Sequence, residues 1–222
     1  MSKIPFDPQT LPIDGLGGES ALDLTRLEAA WLLERFATPP AWEPETVDEA
    51  LLRHPRMTAA SVLIALVLRP EGLTMLLTQR TAHLTDHAGQ ISFPGGRAED
   101  YDASAIDTAL RETEEEIGLD RRHIEIIGAL PDYVTGTGYK VTPVVGLVTP
   151  PFVLTPDENE VAEIFEVPLA FLMDGAYHQR LSFEMPEGAG RRTFYAMPYE
   201  RFFIWGATAG MLRNLFHFLR AD

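Results

Sequence analysis

Cysteine is absent from the 222 residues. Its absence excludes disulfides, thiol catalysis and cysteine-rich zinc sites, so any metal must sit on oxygen or histidine. Long apolar runs are missing too. The longest purely aliphatic stretch, residues 62–68, falls far short of the roughly 18 residues a membrane-spanning helix needs, and the opening MSKIPFDPQTLPIDG has no apolar signal region. A cytoplasmic chain without a membrane partner is expected. Positive charge is scarce: 18 Lys and Arg stand against 33 Asp and Glu, a net charge of −15 with no basic stripe. That balance repels a polyphosphate backbone and argues against nucleic-acid binding. A small phosphorylated ligand remains accessible if cations bridge the two negative partners. Gly136 and Gly138 form only a lone G-x-G, with no complete dinucleotide or phosphate-loop motif, and the nucleophile motif G-x-S-x-G is missing.

What is present suffices for a core. With 45% apolar and 23% charged residues, the chain fits one globular domain with extensions. Residues 1–20 are rich in Pro, Gly and Asp and read as an irregular arm, while Leu24, Leu27, Trp31 and Leu32 at helical spacing predict an added helix over 22–36. ATPPAWEPETVDEALL reads as a linker into a short second helix. In AASVLIALVLRPEGLTMLLTQR two apolar runs flank a Pro-Glu-Gly turn, the pattern of a β-hairpin. Further strands are expected over 124–130, 141–148, 161–167 and 202–205. At the C-terminal end Met211, Leu212, Leu215, Phe216 and Leu219 form one helical stripe, read as core. Strands and helices mixed without strict alternation point to an α/β or α+β layer architecture, and not to a doubly wound parallel sheet.

One segment concentrates acid. Ser104 stands three residues before Asp107 at capping spacing and Gly118 is a natural stop, predicting a helix over Ala105–Ile117. Ile106, Leu110 and Ile117 are expected to form its buried stripe, with Thr113 on it. Glu112, Glu115 and Glu116, three and four apart, emerge together on another face, and the like-charge pair at i,i+4 disfavours the helix by a few tenths of a kcal/mol. A solvated face is the ordinary reading of surface glutamates. Arg111 can pair with Glu115, but one arginine cannot neutralise three acids, whereas a hard divalent cation can. Just upstream, the glycines of FPGG let backbone approach a ligand closely. His83 and His87, spaced i,i+4, read as loop packing.

The string from Gly96 to Leu119 resembles the signature of the Nudix hydrolases, G-x5-E-x7-R-E-U-x-E-E-x-G-U, with U aliphatic. Arg111, Glu112, Glu115, Glu116, Gly118 and Leu119 match; Thr113 stands at a usually aliphatic position. Asp102 occupies the first glutamate position and lies one residue further from Arg111 than the pattern has it. A second resemblance, over residues 76–96, is to the motif L-L-T-x-R-[ST]-x3-R-x3-G-x3-F-P-G-G of coenzyme A pyrophosphatases. Leu76, Leu77, Thr78, Arg80, Thr81, Gly89, Phe93, Pro94, Gly95 and Gly96 match, and Thr85 replaces an arginine.

The resemblance implies a Nudix fold, a mixed β-sheet sandwiched between α-helices, with an N-terminal helical extension: an arm and extension over 1–55 and the hydrolase domain over 56–222. It implies a metal-dependent hydrolase cleaving the diphosphate of coenzyme A or its derivatives to adenosine 3′,5′-bisphosphate and 4′-phosphopantetheine. The alternatives are a Nudix pyrophosphatase acting on ADP-ribose, dinucleotides or nucleoside triphosphates, and a nucleotide-binding domain without turnover. Glu112, Glu115 and Glu116 would hold Mg²⁺ or Mn²⁺, and Arg111 would brace them. One of the three or a downstream acid would be the general base; Glu160 is the candidate, with Glu158 and Glu163 as rivals. Arg80, Gly95, Gly96, Arg97 and Lys140 are the candidate substrate contacts. The expected partners are a small-molecule nucleotide and, as the family often dimerises, a second copy of the chain.

Overall fold

A computed structural model of the chain describes residues 7–45, 57–82, 88–184 and 190–222. The short second helix expected after the Pro-rich linker, together with His83, Thr85 and His87, lies outside these residues. Two long apolar strands organise the rest. β2 (Thr58–Val67) and β3 (Thr74–Arg80) form the expected hairpin, with Ala65 opposite Leu76. β2 also runs parallel to β8 (Tyr139–Val148) in unbroken register from Thr58 opposite Tyr139 to Val67 opposite Val148. A parallel central pair is stable only if both faces are covered, and from Val62 to Val67 β2 is accordingly an unbroken apolar run whose successive side chains enter opposite cores. Leu63, Ala65 and Val67 enter one core with Ala109 and Ile117, while Ile64 and Leu66 enter another with Leu212, Leu215, Phe216 and Leu219.

β4 (Ile91–Ser92), β5 (Gly95–Arg97), β6 (Ile124–Ala129), β7 (Tyr133–Val134) and β9 (Val161–Pro168) complete a mixed eight-stranded sheet. The helix α2 (Ala105–Ile117) covers one face, the single turn α3 (Leu169–Leu172) follows β9, and the C-terminal helix α4 (Gly206–Arg220) lies on the other side with α1 (Ala29–Ala37), packed on β6. The expected mixed α+β fold, its sheet between helices, is what the chain adopts, and α1 is the helical extension. Among the described residues no helix is long and apolar enough to cross a membrane.

Three sequence expectations need correction. The arm is not wholly irregular: β1 (Ile13–Leu16) pairs with β10 (Gln179–Glu184) and opens a second, four-stranded sheet in the order β1-β10-β11-β12, with β11 at Arg191–Tyr199 and β12 at Phe202–Trp205. Nor is 22–36 one helix. Asp23 caps a 3-10 turn over Leu24–Leu27, and α1 begins only at Ala29, so Leu24 is left exposed while Leu27 and Leu32 are buried. On α2, Ile106 faces solvent, and the buried face is formed by Ala109, Thr113, Glu116 and Ile117. The Thr113 hydroxyl is satisfied there by donating to the Ala109 carbonyl at 2.6 Å, the local back-bond that lets a threonine stand in an apolar contact.

A buried polar knot joins the extension to α4. The Arg213 side chain, 3% exposed, donates to Glu19 and Glu45 at 2.7–3.0 Å and to His178 Nδ1 at 3.0 Å. His178 is kept neutral because burial pushes its pKa down to about 4, and its Nε2 meets the Leu172 carbonyl.

Candidate active site

The site forms where α2 crosses the short strand β5. Ser104 caps α2 by accepting from the Asp107 amide, and Gly118 closes it in the left-handed conformation at φ 67°. These local signals fix which turn of the helix carries each acid. β5 lies antiparallel to β2, with Gly95 opposite Val62 and Gly96 opposite Ser61. At Gly95, φ is +147°, and a Cβ would meet Ser61 O at 2.4 Å and the Val62 Cα at 2.5 Å, so no other residue fits. A Cβ on Gly96 would stand 2.5 Å from Glu112 Oε2. The two glycines bring backbone against the carboxylates: the Gly95 amide donates to Glu116 Oε2 at 3.0 Å, and the Glu112 carboxylate lies over Gly96.

Arg111 organises the outer side. Its guanidinium donates to Asp102 through Nε and Nη2, to Glu112 Oε1 at 2.8 Å, to Glu115 Oε2 at 2.9 Å and to the Arg97 carbonyl at 3.1 Å. Asp102, whose place in the signature is shifted by one residue, reaches Arg111 all the same, and also accepts from Thr108 Oγ1 and the Glu99 amide. These bonds, the Arg111 ones foremost, hold the Asp102 carboxyl well below the usual carboxylate range, and Arg111 is driven upward chiefly by Asp102. The sequence alone assigned Asp102 no role; a carboxylate near the signature arginine was the available signal. Glu114 points away and is held by Arg121.

The remaining acid comes from the loop before β9. That loop is tied to α2 by the Thr155 amide donating to Ile117 O and the Asp157 amide to Glu116 O, and to the end of β3 by the Thr81 amide donating to Glu160 O and Thr81 Oγ1 to Asn159 O. Thr81, a matching residue of the motif over 76–96, had been given no role from sequence. The pinning sets Glu160 beside Arg80, whose Nη1 lies 3.6 Å from Glu116 Oε1 and Nη2 3.8 Å from Glu160 Oε2. Of the rivals, Glu158 is exposed and Glu163 is ion-paired with Arg201.

Burial dominates the electrostatics. It pushes the Glu116 carboxyl up to about 7, with the Gly95 amide and Arg80 opposing and Glu160 and Glu112 adding to the rise. Glu112 is raised as well, by burial first, against the pull of Arg111. The Glu115 side chain is 58% exposed. Among the described residues no three of these groups form a ready-made metal cage. The donor chemistry nonetheless fits a hard divalent cation: oxygen ligands only, with two carboxylates whose charged forms are disfavoured by burial and by each other. The candidate phosphate contacts divide. Arg80 is at the cluster, whereas the Arg97 side chain is exposed and Lys140 is engaged by Asp132 at 2.7 Å.

A family profile described as the NUDIX domain matches residues 57–181. In Escherichia coli K12, a protein named "uncharacterized Nudix hydrolase NudL" is 46% identical over 157 residues, covering 70% of this chain and 80% of that protein. A Nudix hydrolase from M. smegmatis, RenU, superposes with a TM-score of 0.44 at 23% identity, over 52% of this chain and 73% of its own. A MutT/nudix family protein from Enterococcus faecalis gives 0.46 at 16% identity, over 84% and 73%.

Proposed function

The chain belongs to the Nudix hydrolase family, and from that premise we propose that it hydrolyses the diphosphate of coenzyme A or its derivatives to adenosine 3′,5′-bisphosphate and 4′-phosphopantetheine. Such enzymes generally use divalent metals such as Mg²⁺ or Mn²⁺, and here Glu112, Glu115 and Glu116 would hold the metal. When bound, it supplies charge neutralisation on the diphosphate and a more acidic water. The observation that carries the reading is the convergence on the Gly95-Gly96 backbone of Glu116 and of Glu112, the latter gripped by Arg111.

The chain's own residues have distinct tasks in this reading. Arg111 fixes the carboxylates of Glu112 and Glu115 through a planar fork that itself is anchored on Asp102. Glu160, half-exposed and held through Oε2 by Arg80, receives the proton lost by the attacking water. The new P–O bond forms as the bridging P–O bond breaks, and the bridging oxygen leaves with the other phosphate. Gly95 and Gly96 keep this floor free of side chains, so that a diphosphate can approach the backbone. Coenzyme A is chosen among Nudix substrates because the match over residues 76–96, including Arg80 and the Phe93-Pro94-Gly95-Gly96 turn, extends beyond what the hydrolase signature requires. The domain is proposed to span 56–222, preceded by the extension over 1–55.

The test is product analysis. Purified protein with Mg²⁺ or Mn²⁺ is offered coenzyme A, ADP-ribose, NADH and nucleoside triphosphates in parallel. Adenosine 3′,5′-bisphosphate from coenzyme A as the dominant product supports the assignment; efficient ADP-ribose cleavage without it overturns the choice of substrate.

A further inference from the structure

Two arginines touch the acid cluster, and they touch it differently. Arg111 is hydrogen-bonded to Asp102, Glu112, Glu115 and a backbone carbonyl, every contact at 2.8–3.1 Å. Arg80 makes no side-chain hydrogen bond to the described residues, and its two carboxylate contacts, at 3.6 and 3.8 Å, are ion pairs beyond hydrogen-bonding distance. Its backbone is fixed, because its amide donates to Gln90 O and its carbonyl accepts from the Gly89 amide. A rigid main chain thus carries a loosely held guanidinium. That guanidinium sits between Glu116 and Glu160, while the Gly95 amide occupies the other Glu116 oxygen, Oε2. Oε1 of Glu116 is the oxygen that Arg80 covers.

We propose that Arg80 is a displaceable internal counter-ion: it neutralises Glu116 and Glu160 in the metal-free protein, yields Glu116 to an arriving divalent cation, and is thereby freed toward the anionic substrate, leaving Glu160 open to take a proton. This rests on the metal-holding reading above. A divalent ion held by Glu116 would repel the Arg80 guanidinium, which stands 3.6 Å from Oε1, so Arg80 and the metal compete for this carboxylate, while Arg80 and the diphosphate attract. The same side chain therefore weakens metal binding in the absence of substrate and strengthens substrate binding in the presence of metal. A merely structural arginine would move both affinities in one direction.

The experiment is Mg²⁺ titration by calorimetry at pH 8.5 without substrate, on the wild type, Arg80→Gln, Arg80→Lys and Glu116→Gln, with KM for coenzyme A measured at saturating Mg²⁺. Arg80→Gln is expected to bind Mg²⁺ about tenfold more tightly than wild type, within the range such couplings take, and to show a KM raised severalfold. Arg80→Lys, which keeps the charge, stays near wild type in Mg²⁺ affinity. In the wild-type protein the Arg80 Nε–H resonance is expected to shift along the same Mg²⁺ titration, which tests displacement without any variant. Equal or weaker Mg²⁺ binding by Arg80→Gln, or an unmoved Arg80 resonance, overturns the counter-ion role while leaving the metal site standing if Glu116→Gln loses affinity. Undiminished Mg²⁺ binding by Glu116→Gln would instead overturn the metal site and this inference with it.

Discussion

Replacing Gly96 by alanine isolates the role of the Glu112 carboxylate from the stability of the fold. The added Cβ would stand 2.5 Å from Glu112 Oε2, 2.6 Å from its Cδ and 2.9 Å from Oε1, so the carboxylate must recede by about 0.9 Å to reach ordinary contact at 3.4 Å. The obstacle is the far end of a flexible side chain, and an off-rotamer adjustment costs on the order of 1 kcal/mol. A displacement near 1 Å at a catalytic group, by contrast, commonly costs about a hundredfold in rate. Gly96→Ala is thus expected to lower the unfolding free energy by about 1 kcal/mol while turnover falls about a hundredfold. Gly95→Ala serves as the contrast. There the Cβ meets backbone, Ser61 O and Val62 Cα, at φ +147°, so it should destabilise by about 1–3 kcal/mol or more as well as inactivate. Urea melts and steady-state diphosphate hydrolysis on both variants read the difference. Wild-type turnover in Gly96→Ala would refute the idea that the Glu112 carboxylate must lie over this glycine.

The buried Glu116 predicts an inverted stability effect. Its pKa is raised from 4.5 to about 7, so the protonated form favours folding below pH 4.5 and that stabilisation is lost as pH rises through about 7. In EDTA, Glu116→Gln should match wild type at acid pH in urea melts. It should be more stable at pH 8 by on the order of 3 kcal/mol, while losing turnover by about two orders of magnitude or more; wild-type-like pH dependence would contradict the burial argument. Arg111→Lys keeps a charge but loses the fork that reaches Asp102, Glu112 and Glu115 together, and should lower kcat about a hundredfold; full activity would show that bracing is unnecessary. Arg213→Met leaves Glu19 and Glu45 without their guanidinium. Calorimetric melting should show a loss of roughly 2 kcal/mol, discounted for the exposure of the glutamates, with kcat unchanged where the protein is folded.

The sequence revealed most where its signals were local. α2 was legible to the residue because Ser104 and Gly118 are capping residues at fixed offsets, and β2, β3 and β8 because strands covered on both faces read as continuous apolar runs. β1 and β10 were not legible: Ile13 meets Leu181 across most of the chain, and Arg180 and Glu184 interrupt the apolar pattern of a strand with a polar face. On the buried face of α2, Thr113 and Ile117 fell where expected, but Ile106 did not, because periodicity weighs bulky side chains whereas contact with β2 and β5 also takes Ala109 and Glu116. In the site, the acid spacing exposed Glu112, Glu115 and Glu116, and the grip of Arg111 on Glu112 and Glu115 followed from proximity. The reach of Asp102 and the pinning of Glu160 by Thr81 depend on where loops land, which no spacing encodes.

A crystal of the protein grown with Mn²⁺ tests the central claim most directly. An anomalous peak within coordinating distance of the Glu112 and Glu116 carboxylates, with Glu115 turned toward it, is the predicted result. Manganese bound elsewhere, with those carboxylates still held only by Arg111, Arg80 and the Gly95 amide at full occupancy of the ion, would contradict it.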